Sequence, residues 1–414
     1  MQLKRAVITG IGALTPIGAT SQAFWENLLA GVCGADRITR FDVSKFDTQF
    51  ACELKDFNPE AHFSIKDARR YDRFTQYSLV ASREALADAG LGKDAMDPWR
   101  AGVIWGSGIG GLETLQQEIL NYAKLGKPRF SPTFITRMIT NMAAGCIAIE
   151  NDFRGISYAS VSACASSTHA LIDALNYIRL GKADVIVSGG SEAPITDTAL
   201  GGFSSMKALS ARNDSPKTAS RPFDKTRDGF VMGEGAGALV IEEREHAIKR
   251  GAKIYAEFIG GAMTTDAFHV ALPQPEGRSV EMAMKLTLDD AQIAPDAVDY
   301  INLHGTSTPA GDGPELTAVQ SVFRNSLDKL HVSSTKSMTG HLLGGAGAIE
   351  AIASVLSIRD NIIPPTMNTT EVDPELNVKV DLTLGKAVKK TVNVAMSNTF
   401  GFGGHNAVVA FRKP

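Results

Sequence analysis

SACASSTHALIDALNYIRLGKADVIVSGG, residues 162–190, decides how the rest of the chain reads. It holds a strand end, a turn of small residues, an Ala-rich helix, a loop and then a strand of consecutive apolar residues, which is the alternation of α/β layering. TGHLLGGAGAIEAIASVLSIRDNIIPPT, residues 339–366, offers a similar turn and helix. GEGAGALVIEE (233–243) and GFGGHNAVVAF (401–411) both set closely spaced glycines before an apolar strand. These echoes predict a duplicated α/β unit joined near residues 245–260, with halves 1–250 and 251–414. Chance likeness between Gly- and Ala-rich turns is the competing account. No low-complexity linker separates the halves, so they are expected to pack as one body.

Further apolar runs extend the pattern in both directions: AVITG near residue 8, AGVIWGSG (101–108), ISYASVSA (156–163), AGALVIEE (236–243), IYAEFIGGAM (254–263), VDYINLHG (298–305), HVSSTK (331–336) and the C-terminal VNVAMSNTFGFGGHNAVVAF. Apolar on consecutive positions, they read as strands covered on both faces and lying at the centre of the molecule. Gly10-Ile11-Gly12 opens like a dinucleotide fingerprint, but Thr15 stands at its third glycine position and no clean helix follows. A tight turn is the preferred reading.

The 414 residues, 44% of them hydrophobic, suffice for an extensive core. A net charge of -3 leaves no global field to draw in nucleic acid or an anionic membrane, so a charged partner must meet a local patch. The N-terminal MQLKRAVITGIGALTPIG has neither a continuous apolar stretch nor a small-residue cleavage site, and no apolar run reaches membrane-spanning length. Cys33, Cys52, Cys146 and Cys164 are too few and too widely spaced for a disulfide framework or a zinc CxxC pair, which makes a cytoplasmic location the expectation.

Cys164 stands where a strand ends and a helix begins. Backbone N–H groups and the dipole at a helix start favour a thiolate there, and Ala163 and Ala165 leave room for a substrate; a small buried hydrophobe is the alternative. His304 ends the strand VDYINLH, and His341 lies immediately before the helix of the second echo. Strand ends of α/β proteins are where ligand groups converge, whereas His62, His246 and His331 sit among polar neighbours as structural hydrogen-bonders. One thiol with two imidazoles suits a reaction that makes a thioester and then stabilises an enolate; a hydrolase triad needs one imidazole and an orienting group. Lys336 and Glu350 read either as an ion pair that holds the histidines or as separate surface groups. Asn398–Gly404, NTFGFGG, reads either as a gate that brings N–H groups to an oxyanion or as a tight turn.

VITGIGALTPIG, VSACASS, RPFDKTRDGFVMGEGAG, NLHGTSTPAGD, KSMTGHLLGGAGAIE and NTFGFGGHN occur in this order, and on them the chain resembles, from end to end, the elongating type II β-ketoacyl-acyl-carrier-protein synthases of bacterial fatty-acid synthesis. The resemblance implies a thiolase fold, five layers αβαβα from two duplicated halves, in a homodimer. It implies that Cys164 takes an acyl chain from an acyl carrier protein. His304 and His341 then hold the thioester carbonyl of malonyl carrier protein while carbon dioxide leaves, and the enolate attacks the acyl-Cys164. It gives the oxyanion to the N–H groups of Cys164 and Phe400, the gate to Phe400, pantetheine contacts to Thr306 and Thr308, and substrate contact to Phe402. Ile109 and Phe203 match the fatty-chain tunnel, with Phe134 contributing across the dimer; Ile109 as ordinary core is the alternative. No metal or redox cofactor is implied, the phosphopantetheine being carried by the partner protein. Lys66, Arg69 and Arg70, within about one helical turn, and Lys207 match a docking patch for an acidic carrier; a solvated helix face is the alternative. His405 departs from the threonine common in the family, and His269 falls near the substrate entrance without a role.

A coenzyme A thiolase would pair its cysteine with a second cysteine and one histidine, and a non-catalytic condensing partner would lack the nucleophile. A polyketide condensing subunit can keep all three residues.

Overall fold

Ten strands pair into one mixed sheet in a computed structural model that describes residues 3–93 and 96–414. In chain order they are β1 (Ala6–Leu14), β2 (Ala101–Gly106), β3 (Ser157–Ser160), β4 (Val185–Glu192), β5 (Gly235–Glu243), β6 (Ala256–Thr265), β7 (Tyr300–Asn302), β8 (His331–Ser333), β9 (Val394–Gly401) and β10 (His405–Arg412). Across the sheet the order is β8-β7-β9-β10-β6-β1-β5-β4-β2-β3. Counted outward from the middle, each half runs first, fifth, fourth, second, third strand, so the topology is repeated. The halves meet where β1 pairs antiparallel with β6 through Ala6↔Phe258, Val7↔Glu257 and Ile8↔Ala256.

Four helices complete the layers: α1 (Arg73–Asp88), α2 (Ser166–Arg179), α3 (Arg278–Ala291) and α4 (Ala346–Asp360). α2 and α4 pack on each other, and each touches strands of both halves, so the sheet folds around them at its short central joint. α1 covers the outer face of the first half and α3 that of the second. The result is the five-layer αβαβα arrangement that the resemblance implies. α4 is buried from Ala346 to Ile358, as a helix apolar on every side must be. Its Ser354 and Ser357 satisfy their hydroxyls by donating to Glu350 O (2.9 Å) and Ala353 O (2.8 Å).

Three expectations change. Gly10 and Gly12 lie inside β1 and make no tight turn; a Cβ at Gly10 would stand 2.1 Å from Ala85 O, and one at Gly12 2.0 Å from Ala81 O. They let α1 press onto the strand. The run ISYASVSA forms β3 at the outer edge of the sheet, where Ser157 is exposed and Tyr158, Ala159 and Ser160 are half-buried, so it is not covered on both faces. HVSSTK is a strand only to Ser333, after which Lys336–Thr339 coil into a helical turn. Among the described residues no helix is long and apolar enough to cross a membrane.

Candidate active site

Cys164 rides on a strained turn between β3 and α2. Ala163 takes φ +51°, a conformation that a non-glycine residue keeps only when its surroundings enforce it. Ser166 supplies the enforcement: its Oγ donates to Ala163 O (2.6 Å) and accepts from Ser162 N (2.9 Å). The second half repeats the device, with Leu343 at φ +46° ahead of α4. Gly401 closes over the turn, since a Cβ there would fall 3.0 Å from Cys164 N.

The thiol was expected to be acidified by the helix start. Burial outweighs that here and pushes it up to about 12; Lys336 and the Phe402 backbone N–H pull downward, Glu192 and Glu350 upward.

His304 follows β7, and its backbone N–H and that of Gly305 each donate to the Glu315 carboxylate at 2.8 Å. His341 follows the Lys336–Thr339 turn and donates its N–H to Val231 O (2.8 Å). The two rings stand edge to face with centroids 5.2 Å apart; Phe400 lies 5.3 Å from His304, and Phe230 5.3 Å from His341. Among the described residues Nδ1 of each ring is buried without a partner, and no protein group bonds either Nε2. Since both rings line the cavity, Nε2 is the nitrogen that reaches it. Burial, then the charge of Lys336, hold both imidazoles well below their usual range, with His341 adding to the effect on His304. Lys336 is itself buried and ion-paired with the buried Glu350.

One cavity of about 350 Å³ brings together Cys164, His304, His341, Phe400, Phe402, Phe203, Thr306, Thr308 and Lys207. Thr306 and Thr308 bond each other through their hydroxyls at 3.1 Å. Lys336 and Glu350 stand behind the histidines and off the cavity wall. Ile109 also lies off the wall, in one apolar cluster with Cys164, Phe203 and Leu343. Phe134 is not brought to the cavity of its own chain; it stacks on Phe130 at 5.6 Å in the helix Phe134–Met138. Lys66, Arg69 and Arg70 are exposed around the single turn Ile65–Ala68, away from the lining. Lys207 is exposed at the cavity and pairs with Asp47 at 3.2 Å.

Sequence reasoning passed over Glu315, Asp266 and Asn406. Asp266 donates its N–H to Gly404 O (2.8 Å) and accepts from Asn406 Nδ2 (2.7 Å), while Gly403 N donates to Val270 O (2.8 Å). These bonds tie the glycine loop after β9 to the segment after β6. His269 shapes that segment, its Nδ1 accepting from Ala271 N and Leu272 N at 3.1 Å. His405 sets its ring 6.0 Å from that of His169, edge to face. No local sequence signal marks the contacts of Asp266 with Gly404 and Asn406 or of His405 with His169, because they join residues far apart in the chain.

Residues 4–247 match the family model "Beta-ketoacyl synthase, N-terminal domain", and residues 255–370 match "Beta-ketoacyl synthase, C-terminal domain". The chain is 49% identical over 412 residues to 3-oxoacyl-[acyl-carrier-protein] synthase 2 of Staphylococcus aureus strain COL, covering 100% of this chain and 99% of that protein. A crystal structure of a beta-ketoacyl synthase from Burkholderia phymatum STM815 superposes with a TM-score of 0.92 at 36% identity, over 99% of this chain and 100% of that one. A type II polyketide ketosynthase bound to a hexaketide, in complex with its acyl-carrier protein, superposes at 0.90 with 30% identity over 100% of both chains.

Proposed function

This chain belongs to the β-ketoacyl synthase family, and we propose that Cys164 is its acyl-carrying nucleophile and that His304 and His341 are the pair that decarboxylates the second substrate. It is an acyltransferase of the 3-oxoacyl-acyl-carrier-protein synthase II type: it condenses malonyl carrier protein with an acyl chain to give 3-oxoacyl carrier protein in fatty-acid elongation. The observation that supports the residue assignment is that Cys164, His304 and His341 line one cavity, with both imidazoles held well below their usual range by burial and by Lys336.

In the first half-reaction Cys164 attacks the thioester of the acyl carrier. The acyl bond passes to its sulfur, and the proton of the thiol ends on the released phosphopantetheine thiol. We assign the oxyanion to the N–H groups of Cys164 and Phe400, as the resemblance implies; the close approach of Gly401 to Cys164 N supports bringing the two segments together. In the second, His304 and His341 donate from Nε2–H to the malonyl thioester oxygen. The malonyl carbon–carboxylate bond breaks and carbon dioxide leaves, the electron pair becomes the enolate, and the enolate carbon bonds to the acyl carbonyl and displaces the Cys164 thiolate, which takes up a proton from solvent to restore the thiol. Neutral imidazoles suit this work, since two imidazolium ions could not coexist with ring centroids 5.2 Å apart beside buried Lys336. We read the chemistry as running on the thioesters alone, with no cofactor beyond the carrier's phosphopantetheine.

Thr306 and Thr308 take the pantetheine arm, Phe402 and Phe203 the substrate, and Phe400 is the gate; their place on the same cavity wall supports this. Residues 1–250 and 251–414 are the two halves, a division supported by the repeated strand order. A homodimer through β3 is supported by that strand's free outer edge, by exposed Val161 beside it and by exposed Ile149 on the adjacent helix Met142–Asn151. Phe134 would reach the partner's acyl chain in that assembly. Four unpaired cysteines support a cytoplasmic location.

The test incubates purified protein with malonyl carrier protein and a ladder of acyl carrier proteins, reading products by mass. Products two carbons longer and bearing a 3-oxo group are expected; hydrolysis without condensation would refute the function. The acidic carrier is assigned to Lys66, Arg69, Arg70 and Lys207, whose exposure supports it. Reversing Lys66 and Arg70 to Glu should lower kcat/KM for carrier-bound substrate by about tenfold or more while sparing a short soluble thioester. Equal losses with both substrates would sink the docking assignment.

A further inference from the structure

Glu192, the last residue of β4, is a completely buried carboxylate, and among the described residues no Lys, Arg or His forms an ion pair with it. Its charge is met by hydrogen-bond donors alone. Oε1 accepts from Ser107 Oγ (2.9 Å), Ile109 N (3.1 Å) and Gly110 N (3.3 Å), and Oε2 from Gly108 N (2.7 Å) and Gly344 N (3.0 Å). Four of the five partners are backbone N–H groups, which can only donate and so favour the ionised form; the fifth is the Ser107 hydroxyl. Burial pushes the carboxyl up, and the backbone N–H groups pull it back.

The donors come from two different turns. Residues 107–110 follow β2 in the first half and include Ile109; Gly344 belongs to the turn ahead of α4 in the second half, next to the strained Leu343. The turns touch because residue 344 lacks a side chain: a Cβ there would fall 2.5 Å from Glu192 Oε2 and 2.4 Å from Gly108 N. Ile109 and Leu343 both pack in the apolar cluster that includes Cys164 and Phe203. One buried carboxylate therefore fixes two of the apolar walls around the nucleophile, one from each half of the molecule.

We propose that Glu192 is a positioning residue for chain-length selection: by holding the Ile109 and Leu343 turns together it sets the shape of the space that receives the acyl chain on Cys164. The proposal rests on reading Cys164 as the acyl carrier. No bond to the acyl chain is made by Glu192 itself; it acts through the backbone of the turns that carry Leu343, on the cavity wall, and Ile109, in the same apolar cluster. Glu192→Gln would turn an acceptor oxygen into an NH₂ group facing N–H donors, forcing at least one turn to draw away.

The test measures acylation of Cys164 by intact mass with a ladder of acyl carrier proteins, beside carbon dioxide release from malonyl carrier protein. In Glu192→Gln the ratio of acylation rates between the best and worst chain lengths should collapse by about fivefold or more, while decarboxylation stays within about twofold. An unchanged ratio overturns the proposal, as does an equal loss at every chain length and in decarboxylation, which is what a merely structural role gives. Should that variant not fold, Ser107→Ala removes one donor and should flatten the same ratio by a smaller factor; no flattening there also overturns it. If the underlying assignment of Cys164 is wrong, the unsubstituted protein itself shows no acyl adduct on that residue, a failure distinct from these.

Discussion

Cys164→Ala protein will lose condensation by about 10⁴-fold or more and will go on releasing carbon dioxide from malonyl carrier protein. The reason is the division of labour across the cavity. Removing Sγ abolishes the thioester that the enolate must attack, and no other cysteine lines the cavity wall. On the proposed assignment decarboxylation needs only an oxygen held by His304 and His341, whose backbone is held by bonds from His304 N to Glu315 and from His341 N to Val231 O. Alanine also leaves the turn standing, because its strain is carried by Ala163 and clamped by Ser166. Radiolabelled carbon dioxide and product mass, measured on the same sample, separate the two halves. Retained condensation would remove Cys164 from the mechanism; loss of both activities with the fold intact would mean that the thiol also serves the histidine half.

Lys336→Met is expected to damage stability and the pH profile together. Breaking a buried pair by removing one partner costs about 3–5 kcal/mol, and the Lys336–Glu350 pair is almost wholly out of solvent. Left alone, Glu350 would be driven further in the direction that burial already takes it, upward. The folded variant then keeps a proton that the unfolded chain gives up near the ordinary carboxylate pKa. Its stability is highest below that pH and falls as pH rises through the elevated folded value. The histidines shift in the same direction for a different reason: Lys336 holds both down, so without it both rise. The acid-side inflection of malonyl decarboxylation should therefore move to higher pH, with a rate loss of about 100-fold at its optimum. Thermal melts across pH and a decarboxylation profile check both effects. An unmoved inflection would show that Lys336 only props up the fold.

The two halves of the site were legible to different degrees. The turn at Cys164 and the helices behind Cys164 and His341 are local patterns of small residues and apolar periodicity, and neighbours in the chain encode them. What opposes the helix start at Cys164 comes from elsewhere in the chain. Its desolvation comes from packing against Ile109, Phe203 and Leu343, which no local pattern around residue 164 reveals. Gly10 and Gly12 were misjudged for the same reason: the atoms that exclude a side chain there, Ala81 O and Ala85 O, lie on a helix some 70 residues away. Glu192, Glu315 and Asp266 carried no signal at all, since a carboxylate whose hydrogen-bond partners are backbone N–H groups and uncharged side chains leaves no complementary charge to find in the sequence.

What the sequence by itself determined is the kind of chemistry and the layering: one cysteine and two histidines at Gly-rich strand ends, on a pattern of apolar runs that occurs twice. Those are properties of residue type and spacing. Only the tertiary structure decided that burial raises the thiol, that burial and Lys336 hold both imidazoles low, and that a single buried carboxylate joins turns of the two halves. Ionisation and orientation depend on what surrounds a group within a few ångströms, and here those surroundings are assembled from strands and turns that the chain brings together only when the sheet folds around its two central helices.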